Sequence, residues 1–333
     1  MRLPWLTLLC CSCLVSCDKV KQAVADAKAK ATSASSPDKK ATEEKAAAAA
    51  IDPALEAQID KTEEGVRFRK DLPFPAKLTA REVTKMDGKS LRLTKHSELG
   101  NETGTFNGST ETTHLWKREG DRLSLTIERD AFVPAMLPQQ GKEPAPQPVA
   151  VESEATGLSA TFRQTGGKWK AENGRGGDFR RIVWVENVEP GIGDMAVAAG
   201  ALPCGFWFGK PRFKEGAAFP LTGDGLRLLF GESPAGKIDL VYEGIEGIGG
   251  HPCGRFSFRG TCSRKNVIGS DGKKSNFDYT IDSGKIWLSL LYPVVMKREM
   301  EAILTMTQNS GGVSTRMQGP ASFSTTVEWK PGT

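Results

Sequence analysis

Three cysteines in the main part of the chain are the residues that could most readily form a covalent or metal site. Cys204 and Cys253 each lie in a Pro-Cys-Gly tripeptide and are the favoured disulfide pair, with Cys204–Cys262 and reduced, buried thiols as alternatives. Cys253 and Cys262 flank an apparent strand and would lie about 30 Å apart, whereas a disulfide needs Cα atoms within about 7 Å. His251 with these cysteines could form a zinc site, but the His-x-Cys spacing differs from a usual zinc knuckle. No metal site is therefore predicted.

No other pattern in the chain predicts an enzyme. The sequence has three histidines and lacks the nucleophile elbow, the zinc-protease helix, the P-loop and the dinucleotide fingerprint. Glu63-Glu64 and the Glu152/Glu154 pair are close in sequence, but glycoside hydrolysis needs two carboxylates about 5–9.5 Å apart across a cleft. The net charge is only +5 and the basic residues are scattered, which argues against nucleic-acid binding. We therefore predict no catalytic residue and no cofactor.

Aromatic side chains offer a second kind of candidate site. Phe206-Trp207-Phe208 is a dense apolar cluster that, with Trp184, Trp287 and Trp329, could line a carbohydrate or lipid groove. The favoured alternative is that these rings fill the core between a helix and a sheet, because large aromatic side chains bury much apolar area.

The first seventeen residues have the layout of a bacterial export signal and hold four of the seven cysteines. Arg2 precedes an uncharged, mostly apolar run that would form about 21 Å of helix, too short to cross a ~30 Å hydrocarbon layer comfortably. Leu14-Val15-Ser16-Cys17 resembles the lipobox of bacterial lipoproteins. The resemblance implies cleavage before Cys17, acylation of Cys17, and anchoring in a membrane of the cell envelope, either inner or outer. An ordinary secretory signal at residues 1–16 is the alternative.

Residues 17–53 are predicted to form a tether between the membrane and the folded part. Asp18 to Asp52 consists mainly of Ala, Lys, Glu, Asp and Ser without one aromatic residue, so it cannot build a core. Ser33 to Pro37 interrupts its helical composition, which indicates a disordered or partly helical spacer. A random coil of this length reaches roughly 30–35 Å.

The remainder of the chain alternates apolar and polar residues, which predicts antiparallel strands. Arg118 to Asp121 indicates a hairpin turn before the alternating run Leu123–Ile127, and Asp87-Gly88 and Asp282 to Gly284 indicate two further turns. Met300 to Gln308 fits either a strand or a helix. These patterns predict β-meander sheets with one buried face.

Two β subdomains, 54–132 and 152–333, are predicted on either side of a proline-rich linker at 133–151. Asp178 to Ala199 is the best helical candidate, although its first half could be a strand. The predicted fold class is α+β, mainly antiparallel β, with one helical region packed on a face. Phe and Pro recur at matching offsets in 68–75 and 213–220, which indicates either a duplication or a chance match.

These features together favour a membrane-anchored envelope lipoprotein with a non-catalytic binding or scaffolding role. Its expected partners are membrane lipid through acylated Cys17 and an envelope protein or glycan. The alternatives are an envelope hydrolase or carbohydrate-active enzyme, and a lipid carrier with an open β groove.

Overall fold

A computed structural model describes residues 50–73, 75–98, 100–133, 149–165, 168–175, 211–230, 234–268 and 273–332. The predicted signal peptide, Cys17, most of the predicted tether and linker, and the predicted helix Asp178–Ala199 lie outside these residues. Cys204, Trp184 and Phe206–Phe208 also lie outside them. The described part is mainly antiparallel β with two short α-helices, which confirms the predicted fold class. No helix in this part is both long and apolar enough to cross a membrane.

Fifteen strands make up most of the described residues: β1 Asp60–Thr62, β2 Gly65–Arg67, β3 Lys77–Ser97, β4 Gly100–Glu119, β5 Arg122–Phe132, β6 Val151–Glu152, β7 Ser159–Thr165, β8 Lys168–Arg175, β9 Arg212–Phe213, β10 Ala218–Thr222, β11 Pro234–Ile248, β12 His251–Ile268, β13 Lys274–Ser289, β14 Val295–Ser310 and β15 Val313–Pro331. The described helices are α1 Pro53–Glu56 and α2 Arg227–Phe230, and a 3₁₀ turn at Gly223–Leu226 leads into α2.

Twelve of these strands form one antiparallel sheet in the order β10-β11-β12-β13-β14-β15-β3-β4-β5-β7-β8, with β6 paired to β5. The join between its two halves is β15, which pairs with β3 from Ser314↔His96 to Pro331↔Leu78. Strands from both predicted subdomain ranges therefore lie in one continuous sheet.

A small second sheet brings the two similar Phe/Pro segments together. It has the strand order β1-β2-β9, and Val66 of β2 pairs with Phe213 of β9. The rings of Phe68 and Phe213 meet edge to face, 5.6 Å apart.

Two predicted turns are wrong because each lies inside a long strand. β3 continues through Asp87-Gly88, and β13 continues through Asp282 to Gly284. Each strand shifts register at this point, as a β-bulge does, instead of reversing direction. The turn predicted at Arg118–Asp121 is confirmed, since Glu119 ends β4 and pairs with Arg122 at the start of β5. Met300 to Gln308 is strand, within β14.

Glycine serves close packing at these bulges. A Cβ atom at Gly88 would overlap the side chain of Leu91, and one at Gly284 would overlap the ring of Phe258 on the neighbouring strand. Glycine is required wherever a neighbouring side chain lies flat against the backbone, whether the strand ends at that residue or continues through it. Glycine next to an acidic residue therefore resembles a turn signal here although the strand does not end.

The main core lies on one face of β11–β15 and β3. Alternate side chains of these strands are buried together, and the apolar side chains of Leu228–Phe230 in α2 pack onto them. The Phe230 ring lies 5.3 Å from that of Tyr279. Burying such a side chain contributes about 1.5–3 kcal/mol, so α2 and the small sheet are held mainly by apolar contacts with the large sheet.

Candidate functional site

An open groove of about 1060 Å³ crosses the strands of the large sheet. Residues from six adjacent strands, β11 to β15 and then β3, line it, and the edge strand β10 contributes Phe219 and Pro220 at one end. Neighbouring strands lie about 4.8 Å apart, so the groove is about 24 Å long. It follows one row of paired residues: Leu240, Phe258, Gly284, Met300, Phe323 and Met86.

Irregular strand pairing accompanies the groove along this row. The register shifts within a few residues of it in four pairings, those of β11 with β12, β12 with β13, β13 with β14 and β15 with β3. A bulge adds an unpaired residue and bends its strand. Four such irregularities near one row let the sheet bend there, beside the groove.

Charged and hydroxyl side chains from the solvent-facing positions beside this row line the groove. Four are basic, five are acidic and four are serines: Lys85, Lys237, Arg259 and Lys285; Asp87, Asp239, Asp282, Glu299 and Glu301; Ser257, Ser283, Ser322 and Ser324. The charges nearly balance. Such a lining offers hydrogen-bond donors and acceptors without a strong net field.

Among the carboxylates that line the groove, the two on β14 are the pair most suited to acid–base catalysis. Glu299 and Glu301 lie two residues apart on the same face of β14, which separates their Cα atoms by about 7 Å. Glu299 is 2.7 Å from Lys297, and its side chain is 48% exposed. A general acid in glycoside hydrolysis is usually held in a less solvated site, so this pair is better suited to hydrogen bonding than to proton transfer.

A buried histidine–serine pair lies where β12 begins and β13 ends, and sequence reasoning missed it. His251 Nε2 lies 2.7 Å from Ser289 Oγ, and both residues are buried. Burial lowers the pKa of His251 to about 4, so the ring is neutral and can accept the serine proton. Ser289 Oγ also accepts the backbone N–H groups of Leu291 and Tyr292, at 3.1 and 3.0 Å. Ser289 Oγ thus makes three hydrogen bonds and is buried, so the pair stabilises the turn that follows β13.

The two described cysteines are buried thiols. Cys253 and Cys262 lie on β12, nine residues apart, and no bond joins them. Burial raises the pKa of both thiols, that of Cys262 to about 12, which leaves both protonated and unreactive. The predicted pairing of Cys204 with Cys253 involves a residue outside the described ones and stays a prediction. In the described part no group of three or more His, Cys, Asp or Glu is arranged to hold a metal ion.

The described tryptophans of the predicted aromatic site belong to a small core. Trp287 is 4% exposed and packs with Cys253 and Met296, while Trp329 packs against the same cluster. Lys297 Nζ lies 4.6 Å from the centre of the Trp287 ring. Trp287 therefore lies in the interior, while the helix predicted to cover these rings lies outside the described residues.

A polar ladder interrupts the buried face where β14, β15 and β3 meet. Arg298 Nη2 donates to Thr325 Oγ1 at 3.3 Å, and Thr325 Oγ1 lies 3.3 Å from Thr84 Oγ1. Thr84 in turn donates to Glu82 Oε1 at 3.4 Å. Burial raises the pKa of Glu82 to about 8, although the positive charge of Arg298 and the bond from Thr84 oppose this. The carboxyl of Glu82 is therefore largely protonated at neutral pH.

Comparisons with known proteins assign no family to the chain. No family model and no curated protein matches it. Among solved structures, one described as "Lipid-protein interactions in lipovitellin" is similar over 78% of this chain and 26% of that chain, with 8% identity and a TM-score of 0.30. A DUF1329 family protein from Desulfovibrio piger is similar over 78% of this chain and 85% of that chain, with 7% identity and a TM-score of 0.14. The chain thus spans about a quarter of the lipovitellin chain.

Proposed function

We propose that this protein is a membrane-anchored envelope lipoprotein that binds an uncharged envelope glycan, without catalysis, in the groove across β11–β15 and β3. The observation that supports the proposal is the groove. It is open, about 24 Å long, and lined by nearly balanced charges and four serine hydroxyls.

A neutral, hydroxyl-rich polymer suits this lining better than a charged or apolar one. A polyanion would need a surplus of basic side chains, whereas the groove has four basic and five acidic ones. A lipid would need a continuous apolar surface, whereas the apolar side chains that line the groove, among them Phe219 and Val241, are flanked by charged and hydroxyl ones. Sugar hydroxyls both donate and accept hydrogen bonds, as this lining does.

The anchor is the second part of the proposal. Acylated Cys17 would hold the protein at the membrane, and the Ala/Lys-rich segment after it would let the groove reach a glycan roughly 30–35 Å away. Metabolic labelling with a palmitate analogue tests the anchor, with wild type labelled and Cys17→Ala unlabelled. Equal labelling of the two would show that Cys17 is not the acylation site.

Co-sedimentation of the full chain with an insoluble uncharged glycan, such as chitin, tests the groove. Ser283 is exposed near the middle of the groove, so Ser283→Trp should fill it and weaken binding by about tenfold or more. Ser314→Trp is the matched control, because Ser314 is an exposed residue of β15 that does not line the groove. Equal binding by both variants would contradict the proposal.

The alternative of an envelope hydrolase draws on one observation, the Glu299/Glu301 pair within the groove. Release of reducing sugars from the same uncharged glycan by wild type, and its loss in Glu301→Gln, would favour the hydrolase and overturn the non-catalytic role. We expect no release by either protein.

A further inference from the structure

The side chains that line the groove form two rows, one on each side of it, and each of the six strands contributes one residue to each row. The first row consists of Val241, Ser257, Lys285, Glu299, Ser324 and Lys85, and every neighbouring pair in it is in register. The second row consists of Asp239, Arg259, Ser283, Glu301, Ser322 and Asp87. Its members are also paired across the sheet, except that the step from Arg259 to Ser283 crosses a register shift. The groove is therefore a trough between two parallel rows of mostly polar side chains.

The spacing of the rows limits what can lie between them. On each strand the two lining residues are two positions apart, which separates the rows by about 7 Å. Along the trough, the lining residues repeat at the spacing of the strands, about 4.8 Å. A trough of this width and about 24 Å long admits one extended polymer chain, and excludes a branched or coiled one.

A sugar chain matches this repeat better than a peptide does. An extended peptide advances about 3.3 Å per residue and would fall out of step with lining residues that repeat every ~4.8 Å. A pyranose ring in an extended chain is about as long as one strand spacing, ~4.8 Å, so each ring would meet one residue of each row. The β-linked chains of cellulose and chitin are straight, whereas the α-linked chains of starch coil. The trough therefore favours a straight, β-linked chain.

Ion pairs beside the trough compensate charges of the first row. Lys85 Nζ lies 3.2 Å from Glu111 Oε2 on β4, and Glu299 Oε1 lies 2.7 Å from Lys297 Nζ on the same strand. Because these charges are compensated locally, the groups can form hydrogen bonds without requiring a charged ligand. Both rows also carry serine hydroxyls, which donate and accept hydrogen bonds as sugar hydroxyls do.

We propose that the groove binds one straight, β-linked glycan chain that lies across the strands, with about one sugar ring per strand spacing and about five rings in contact. This inference rests on the proposed function, because it specifies which uncharged glycan the groove takes. The chain would run from Phe219 at the β10 end to Lys85 and Asp87 on β3. Affinity should then grow with chain length until the trough is full.

Isothermal titration calorimetry of the full chain tests the proposal, with chitin and cellulose oligosaccharides of two to six rings and with maltohexaose as the α-linked control. In at least one β-linked series, each added ring should raise the affinity about two- to tenfold, because it adds net hydrogen bonding. The rise should end at about five rings, the length of the trough. The β-linked hexamer should bind at least about tenfold more tightly than maltohexaose.

A variant that blocks one end of the trough provides a second test. Ser322 lies in the second row on β15, between Glu301 on β14 and Asp87 on β3. Ser322→Trp should therefore close the β3 end and leave room for about three rings across β11–β14. The variant should bind the trimer as wild type does and gain little affinity from three rings to six. Ser314→Trp, on the same strand but outside the groove, is the matched control and should keep the full length dependence.

The outcomes distinguish this inference from the proposed function. Equal affinity for dimer and hexamer, or for the α- and β-linked hexamers, would overturn the straight-chain inference and leave glycan binding in place. Unchanged length dependence in Ser322→Trp would also overturn it, as would binding to solid chitin without binding of any oligosaccharide. If neither solid chitin nor any oligosaccharide binds, the proposed function fails, and this inference fails with it.

Discussion

Replacing the buried Glu82 by glutamine should stabilise the protein at neutral and alkaline pH. Burial raises the pKa of Glu82 from its usual 4.5 to about 8, so the folded protein holds a proton there that the unfolded chain releases. Stability from this group is fully present below pH 4.5, falls as pH rises from 4.5 to 8, and is constant above 8. Glutamine resembles the protonated acid in shape and cannot ionise.

The magnitude follows from these two pKa values. Their difference, at 1.36 kcal/mol per pKa unit, corresponds to about 5 kcal/mol at pH 8 and above, and to about 3 kcal/mol at pH 7. Urea unfolding of wild type and Glu82→Gln, followed by tryptophan fluorescence from pH 4 to pH 9, measures the difference directly.

The control for this experiment is Glu301→Gln, which changes an exposed glutamate on the same sheet. Its stability should follow that of wild type across the pH range. If the free energies of unfolding of wild type and Glu82→Gln differ by a constant amount from pH 4 to pH 9, the inference that Glu82 is protonated in the folded state is refuted.

Three other outcomes follow from the packing. His251 is neutral in the folded protein because burial lowers its pKa from 6.5 to about 4, so its protonation should remove about 3 kcal/mol of stability as the pH falls through this window. Ser289→Ala should lower the urea midpoint at pH 7. An unchanged midpoint would contradict the described hydrogen bond between His251 and Ser289. Gly284→Ala should cost about 1–3 kcal/mol because its methyl group overlaps the Phe258 ring; Phe258→Ala in the same chain should recover part of the Gly284→Ala penalty, and additive losses would count against this contact. Cys262 should react with an aqueous maleimide only after denaturant is added, whereas rapid labelling of the native protein would show an accessible thiol.

The sequence pattern was sufficient to predict that these segments form strands, but not to predict how long each strand is. The hairpin at Arg118–Asp121 was predictable because both of its signals, the polar turn and the alternation in Leu123–Ile127, depend only on residues close in sequence. Asp282 to Gly284 has the local chemistry of a turn, and only the Phe258 ring from another strand shows why glycine is needed there. The bulges beside the groove depend on such contacts between distant residues.

The groove and the buried charges were less predictable for a related reason. The groove residues come from strands far apart in sequence, and their side chains are ordinary solvent-facing polar groups. Glu82 and Arg264 did carry a signal, since each occupies a position where the alternation of its strand points inward. A charge at such a position cannot be assigned a partner until the neighbouring strands are known.

The central place of β15 determines the order in which this sheet can form. β15 follows all the other described strands in the chain, yet it lies between β14 and β3, and its contact between Thr325 and Thr84 joins residues 241 positions apart. Until β15 is in place, β14 and β3 each have an unpaired edge of 16 and 21 residues, which other chains could join. Sheet closure is therefore expected to be a late and slow step, and loss of this one strand would turn a folded protein into an aggregating one.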